Sequence, residues 1–225
     1  MVILDLHYED RNKAGSIGWI LGLPIVFSLI PQGSIRIPFK DREVIKESLK
    51  NPKCFLGQQG LNHKCQNFHK YVDPWHENYC LFGNKITKEK QREFMIRGKE
   101  LLFKIYKREA EIYTPPNHLW NQDTLEVAEQ IGYKYLTDKN MINLQPYKVG
   151  KLIIVPEHKF NNQDIDSIVY AHYGVDIIDI ESIKGFKMGN FKDIKPVQQS
   201  YEKIRLNEIL KHSSKIGRDL KNINR

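Results

Sequence analysis

Pro24-Ile25-Val26-Phe27-Ser28-Leu29-Ile30 carries no charge, is dense in β-formers and stops at Pro31. It reads as a buried strand. Downstream, residues 39–50 place Val44, Ile45, Ser48 and Leu49 on one side, with Asp41 as a candidate cap and Asn51-Pro52 as the stop, which predicts an amphipathic helix. Residues 53–57 are then a third strand. Upstream, residues 2–7 form an apolar-rich opening strand, and residues 12–21 have helical spacing ending near Gly22. The same alternation continues beyond an irregular stretch at 58–86. Thr87 caps a helix of roughly five turns with Phe94, Leu101, Leu102 and Ile105 inside. Residues 111–113 are a short strand before Pro115-Pro116, and 123–131 a helix with Gly132 as its stop. Residues 134–136, 151–155 and 167–171 are further strands. Residues 175–180 are one more strand or part of a turn, and a helix near 199–210 leads into a basic tail.

Repeated strand–helix alternation implies a parallel sheet with helices outside. With seven or so strands, a barrel fits better than an open sheet. No GxGxxG or GxxxxGK loop follows any strand, which argues against a nucleotide-binding fold. No linker divides the chain, so residues 1–198 are expected to form one barrel domain, with 199–225 a helix and basic tail packed on it or extending from it.

At 225 residues the chain is long enough for one large domain, with the composition of a packed globular protein. The net charge of +8 is spread along the chain and reads as a solvated basic surface. A nucleic-acid-associated role ranks last among the functions considered. Its only candidate segment, 203–225, has no aromatic beyond the neighbouring Tyr201. Cys54, Cys65 and Cys80 are an odd count without CxxC spacing, as expected of free thiols in a reducing compartment. The longest apolar stretch, 20–30, is broken by Gly22, Pro24 and Ser28 and is too short to span a bilayer. With no signal peptide ahead of the first strand, the expectation is a cytoplasmic protein without membrane contact.

Polar groups gather where the strands end. Glu9 and Asp10 follow the first strand; one can bind a cation while the other serves as proton acceptor, or the pair is a solvated turn. His63 follows the third strand in a segment holding Gly57 and Gly60. It reads as a metal ligand or a structural histidine, with Cys65, His69 and His76 close by. Thr114-Pro115-Pro116-Asn117 stiffens the chain after a strand, as a groove wall or a plain loop. Trp120 and Trp75 are sugar platforms or core residues. His172 ends an apolar run as a proton donor in a cleft or a satisfied buried histidine, with His158 a weaker competitor. His7 and His118 flank motifs without filling a key position in them.

The order of these segments resembles the polysaccharide deacetylase superfamily, the NodB-homology or carbohydrate esterase domains, over roughly residues 3–172. In that family a strand ends in Asp-Asp, the first the base and the second a metal ligand; Glu9 and Asp10 match it. The next motif holds two metal-binding histidines four apart; here the positions carry Gln59 and His63. Thr114-Pro115-Pro116-Asn117 matches the Arg-x-Pro type wall, Gly132-Tyr133-Lys134-Tyr135 a Gly-Tyr segment, and residues 167–172 the last strand, ending in histidine.

The resemblance implies a single-domain distorted (β/α)7-8 barrel and a metal-dependent hydrolase that deacetylates an N-acetylated sugar or related amide. Asp10, His63 and, weakly, Gln59 would hold a divalent cation, zinc or else manganese, magnesium or cobalt. Glu9 would activate the metal-bound water and His172 would protonate the leaving amine. Thr114, Pro115, Pro116, Asn117 and Trp120 would line a small-molecule or glycan substrate. Three departures (Glu9 for aspartate, Gln59 for histidine, Thr114 for arginine) also allow a catalytically degenerate domain that binds a glycan or a protein partner.

Overall fold

The computed structural model of the chain describes residues 3–8, 22–62, 86–138, 146–159, 168–173, 192 and 194–198. The helices expected at 12–21 and 199–210, the element at 175–180, and Glu9, Asp10 and His63 lie outside the described residues. The strands are β1 (Ile3–Tyr8), β2 (Ile25–Leu29), β3 (Phe55–Gln59), β4 (Ile112–Thr114), β5 (Tyr135–Asp138), β6 (Tyr147–Val149), β7 (Leu152–Pro156), β8 (His158–Lys159), β9 (Ile168–Tyr173) and β10 (Val197–Gln198). The helices are α1 (Pro31–Ser34), α2 (Phe39–Ser48), α3 (Lys88–Tyr106) and α4 (Gln122–Ile131).

The hydrogen-bonded strand order is β10-β6-β7-β5-β4-β3-β2-β1-β9-β8. From β7 to β8 every neighbouring pair is parallel. Glu157 alone separates β7, which pairs with β5, from β8, which pairs with β9. One continuous run of chain thus joins both ends of the order and closes a seven-membered parallel barrel. The antiparallel β6 and the short β10 extend the sheet outside that ring. Closure leaves no edge among the barrel strands, and it requires each crossover to return over the outside.

Alternation along the strands sorts the apolar residues into two sets. Ile25, Phe27 and Leu29 of β2, Leu56 of β3, Tyr113 of β4, Leu136 of β5 and Ile154 of β7 join Ile45, Met95, Leu102, Val127 and Ala128 of the helices in one large buried cluster, the outer jacket. Val26, Phe55, Ile112, Tyr135 and Val155 occupy the intervening positions and form a smaller cluster in the lumen. Phe55 and Tyr135 meet there edge to face, with ring centroids 6.2 Å apart.

Local chemistry explains most element ends. Thr87 accepts from the Lys90 amide and starts α3; Lys107, in the left-handed region at φ 54°, ends it. Asn121 caps α4 in a reciprocal box with Thr124, two residues before the predicted start, and Gly132 ends it at φ 88°. Asp41 is not the cap of α2: Pro38 holds that position, and Asp41 lies buried in the first turn. Gly57 is in mid-strand rather than in a turn, because β3 continues to Gln59; the turn glycine is Gly60, at φ 60°.

Candidate active site at the C-terminal rim of the barrel

Parallel closure brings the C-terminal ends of all seven barrel strands to one rim, where α/β barrels build sites. Just below that rim the lumen is polar. Ser28 Oγ donates to Asp5 Oδ2 at 3.0 Å and lies 3.0 Å from Thr114 Oγ1, which in turn lies 2.8 Å from Thr137 Oγ1. The Glu157 carboxyl lies buried in the same space, near enough to Asp5 for their charges to act on each other. Asp5, Ser28, Thr114 and Thr137 therefore form a hydrogen-bonded ring of polar side chains above the apolar plug, with Glu157 beside them. All five are buried.

The ring depends on one small residue. Ser28 on β2 and Thr114 on β4 are two strands apart, with β3 between them. They meet across Gly57, where an added Cβ would stand 2.8 Å from Ser28 Oγ. Two carboxyl groups in such a volume cannot both ionise cheaply. Burial holds the Glu157 carboxyl well above the usual carboxylate range, and the charges of Asp5 and Asp138 act in the same direction. His118 Nδ1 lies 3.3 Å from Glu157 Oε1. His118 ends a 3-10 turn, Pro116–His118, with φ 53°, an uncommon conformation for a residue with a side chain.

The motif residues distribute as follows. Glu9 and Asp10 come directly after Tyr8, the last residue of β1, and His63 directly after the described Asn62. Gln59 is the final residue of β3, 3% exposed, and pairs in register with Thr114 at the end of β4. Thr114 is fully buried in the polar ring instead of on a groove wall. Pro115 and Pro116 are buried as well, and Asn117 lies within the 3-10 turn. Trp120, 2% exposed, belongs to the jacket core. His172 is in β9 and pairs in register with His7 of β1; His158 pairs with Val169.

Asp5, Ser28, Thr137 and Glu157 belong to none of the sequence motifs, and His118 only flanks one. A signal existed for two of them: Asp5 interrupts Ile3-Leu4 and Leu6, and Glu157 follows Leu152-Ile153-Ile154-Val155-Pro156. An acid inside or at the end of an apolar strand is a candidate for the lumen of a barrel.

Of the donors implied for a cation, the described one is Gln59, with its amide oxygen buried at the rim end of β3. Its position suits a ligand, and its chemistry is that of a harder, weaker donor than imidazole. Among the described residues no group of three His, Cys, Asp or Glu side chains could hold a metal ion. No helix among them is long and apolar enough to cross a membrane.

No family profile matches the chain, and no curated protein matches it. Solved structures do. A family 4 carbohydrate esterase from Bacillus anthracis superposes with a TM-score of 0.55 at 15% identity, covering 86% of this chain and 81% of that one. A CE4 family pseudoenzyme from Bacillus anthracis gives 0.52 at 10% identity, covering 89% and 66%. A mutant of that pseudoenzyme with restored enzymatic activity gives 0.52 at 12% identity, covering 89% and 69%. At such identities the likeness is one of backbone architecture, and it agrees with the closed parallel ring: this chain has the polysaccharide deacetylase-like barrel fold.

Proposed function

We propose that the chain is a metal-dependent hydrolase of the deacetylase type, releasing acetate from an N-acetylated sugar or a related amide. The observation that carries this reading is topological. β1, β3, β4 and β9 are parallel members of one ring, so Tyr8, Gln59 and Thr114, the last residues of the first three, and His172, next to last in β9, stand at the same end of it.

Asp10, His63 and Gln59 would hold the cation. A divalent cation bound there would polarise the acetamide carbonyl and acidify a water. Glu9 takes a proton from the attacking water, the C–N bond breaks, and His172 returns a proton to the departing nitrogen, leaving a free amine and acetate. The buried ring supports the floor of the site: Thr114 ties β4 to β2 and β5, and Asp5 ties β1 to β2, holding the strand ends that carry the chemistry.

Acetate release and metal content together test the proposal. Glu9→Gln should abolish release while retaining the cation, and Asp10→Ala should lose both. Metal content unchanged in Asp10→Ala would overturn the ligand assignment.

Gln59 favours a second reading, a barrel that binds a glycan or a protein partner without turning over. An amide stands where the resemblance places imidazole, and Thr114 is enclosed rather than free to orient a base. Gln59→His separates the two readings. An inactive protein that gains metal affinity and acetate release on this change is a degenerate site; a wild type that already releases acetate is an enzyme.

A further inference from the structure

The parallel ring closes through its shortest strand. β8 is two residues long and meets β9 at His158↔Val169 and Lys159↔Tyr170, whereas β1 meets the same strand along six register pairs. Without the β8–β9 pair the ring is a sheet with two edges. Glu157 stands directly before this joint, as the single residue between β7 and β8.

Glu157 is engaged from both sides of the joint. Its amide donates to the Asp138 carbonyl of β5 at 2.8 Å. Its carboxyl lies near enough to Asp5 of β1 for their charges to act on each other, and 3.3 Å from His118 Nδ1 in the turn after β4. The imidazole is 11% exposed and the carboxyl side chain 0%. A stiff turn sets the place of that imidazole. Two prolines precede Asn117, the His118 amide donates to the Pro115 carbonyl at 2.7 Å, and the His118 backbone is held at φ 53°.

Among the described residues, the titratable groups that bear on the Glu157 carboxyl are thus Asp5 from β1, Asp138 from β5 and His118 from the turn, with His158 and Lys159 next along its own strand. Asp5 and Glu157 ionised together would put two like charges in one volume away from water. One proton avoids that outcome. On the carboxyl it removes the second anion; on the imidazole it sets a cation at ion-pair distance from it.

We propose that a proton held between Glu157 and His118 latches the barrel at the β7–β8 junction, and that its loss to water frees β8 from β9. Burial and the charges of Asp5 and Asp138 keep the proton on Glu157 in the closed joint. Once β8 has parted, the carboxyl meets water and titrates in the ordinary carboxylate range. The closed joint is therefore favoured in full below that range and loses this advantage as pH rises through the raised value. The latch governs the footing of β9, the strand that carries His172, and does not depend on what the rim catalyses.

Residue-resolved hydrogen exchange on the full chain, from mildly acidic to alkaline pH and corrected for the intrinsic exchange rate, tests the latch. Protection of the β8 amides should fall about tenfold or more across the range, while Phe27 of β2 and Leu56 of β3 keep theirs. Glu157→Gln should hold β8 protection constant. Asp5→Asn, a separate route to the same answer should Glu157→Gln fail to fold, should make the fall shallower because the like charge is gone. The His118 imidazole, followed by NMR, should titrate at lower pH in Glu157→Gln than in the wild type.

β8 protection that is level with pH in the wild type overturns the latch, and so does a fall shared equally by β2 and β3, which is loss of the whole fold. A fall that survives in Glu157→Gln, or is as deep in Asp5→Asn, overturns it as well. An unmoved His118 midpoint overturns the sharing of the proton.

Discussion

The jacket and the lumen of this barrel are built on opposite principles. Outside, the strands present Phe27, Leu29, Leu56, Leu136 and Ile154 to three long helices, and the cluster is large and predominantly apolar. Inside, five apolar side chains form a plug, and the level above it belongs to two acids and three hydroxyls. The jacket can be filled by many side chains of suitable volume, because dispersion and area burial are not directional. The lumen cannot, since each buried polar group there needs a partner at a set distance and angle. Stability is concentrated in the jacket, and whatever selects a unique arrangement of strand ends is concentrated in the ring.

Four substitutions probe that contrast. Trp120→Ala empties a large, 2% exposed position of the jacket and should cost about 3–5 kcal/mol in urea denaturation. A stable Trp120→Ala protein that loses only glycan affinity would place Trp120 in the site and not in the core. Gly57→Ala adds a Cβ 2.8 Å from Ser28 Oγ, between two strands that cannot part, and should cost about 1–3 kcal/mol. Unchanged stability would mean that the hydroxyl bridge across β3 matters little. Thr114→Val keeps the volume and removes the contacts to Ser28 and Thr137, for about 1–2 kcal/mol, since Ser28 keeps its bond to Asp5.

Glu157→Gln should have the smallest effect at low pH, and its signature is the shape of the stability–pH curve. The folded protein holds the Glu157 carboxyl above its unfolded value, so it keeps a proton that the unfolded chain has lost. The stability supported by this group is fully present below the unfolded carboxylate pKa and is lost as pH rises from there through the raised folded value. Glu157→Gln should flatten that fall in denaturation curves recorded across the acidic-to-neutral range. The wild-type slope surviving in the variant would assign it to another group.

Much of the architecture was legible along the chain. Residues 24–30, 39–50 and 123–131 became β2, α2 and α4 within one or two residues, because apolar periodicity and stop residues act locally. The misplacements have local reasons too. β3 outran its predicted end because Gly57 reads as a turn when only its neighbours in sequence are seen. β6 was missed because Tyr147-Lys148-Val149 is too short for a periodic signal. Gln59 and Thr114, chosen from separate motifs, proved to be register partners.

The amino-acid sequence on its own determined the strand–helix alternation, the order of the motifs and their places beside strand ends, since each depends on residues close along the chain. Only the tertiary structure decided that Leu152–Pro156 and His158–Lys159 flank the point where the ring closes, that Gly57 is the gap through which Ser28 reaches Thr114, and that Asp5 and Glu157 share one buried space. These are contacts between residues far apart in the chain. No local propensity encodes them; they follow from which strands lie side by side once the barrel has shut.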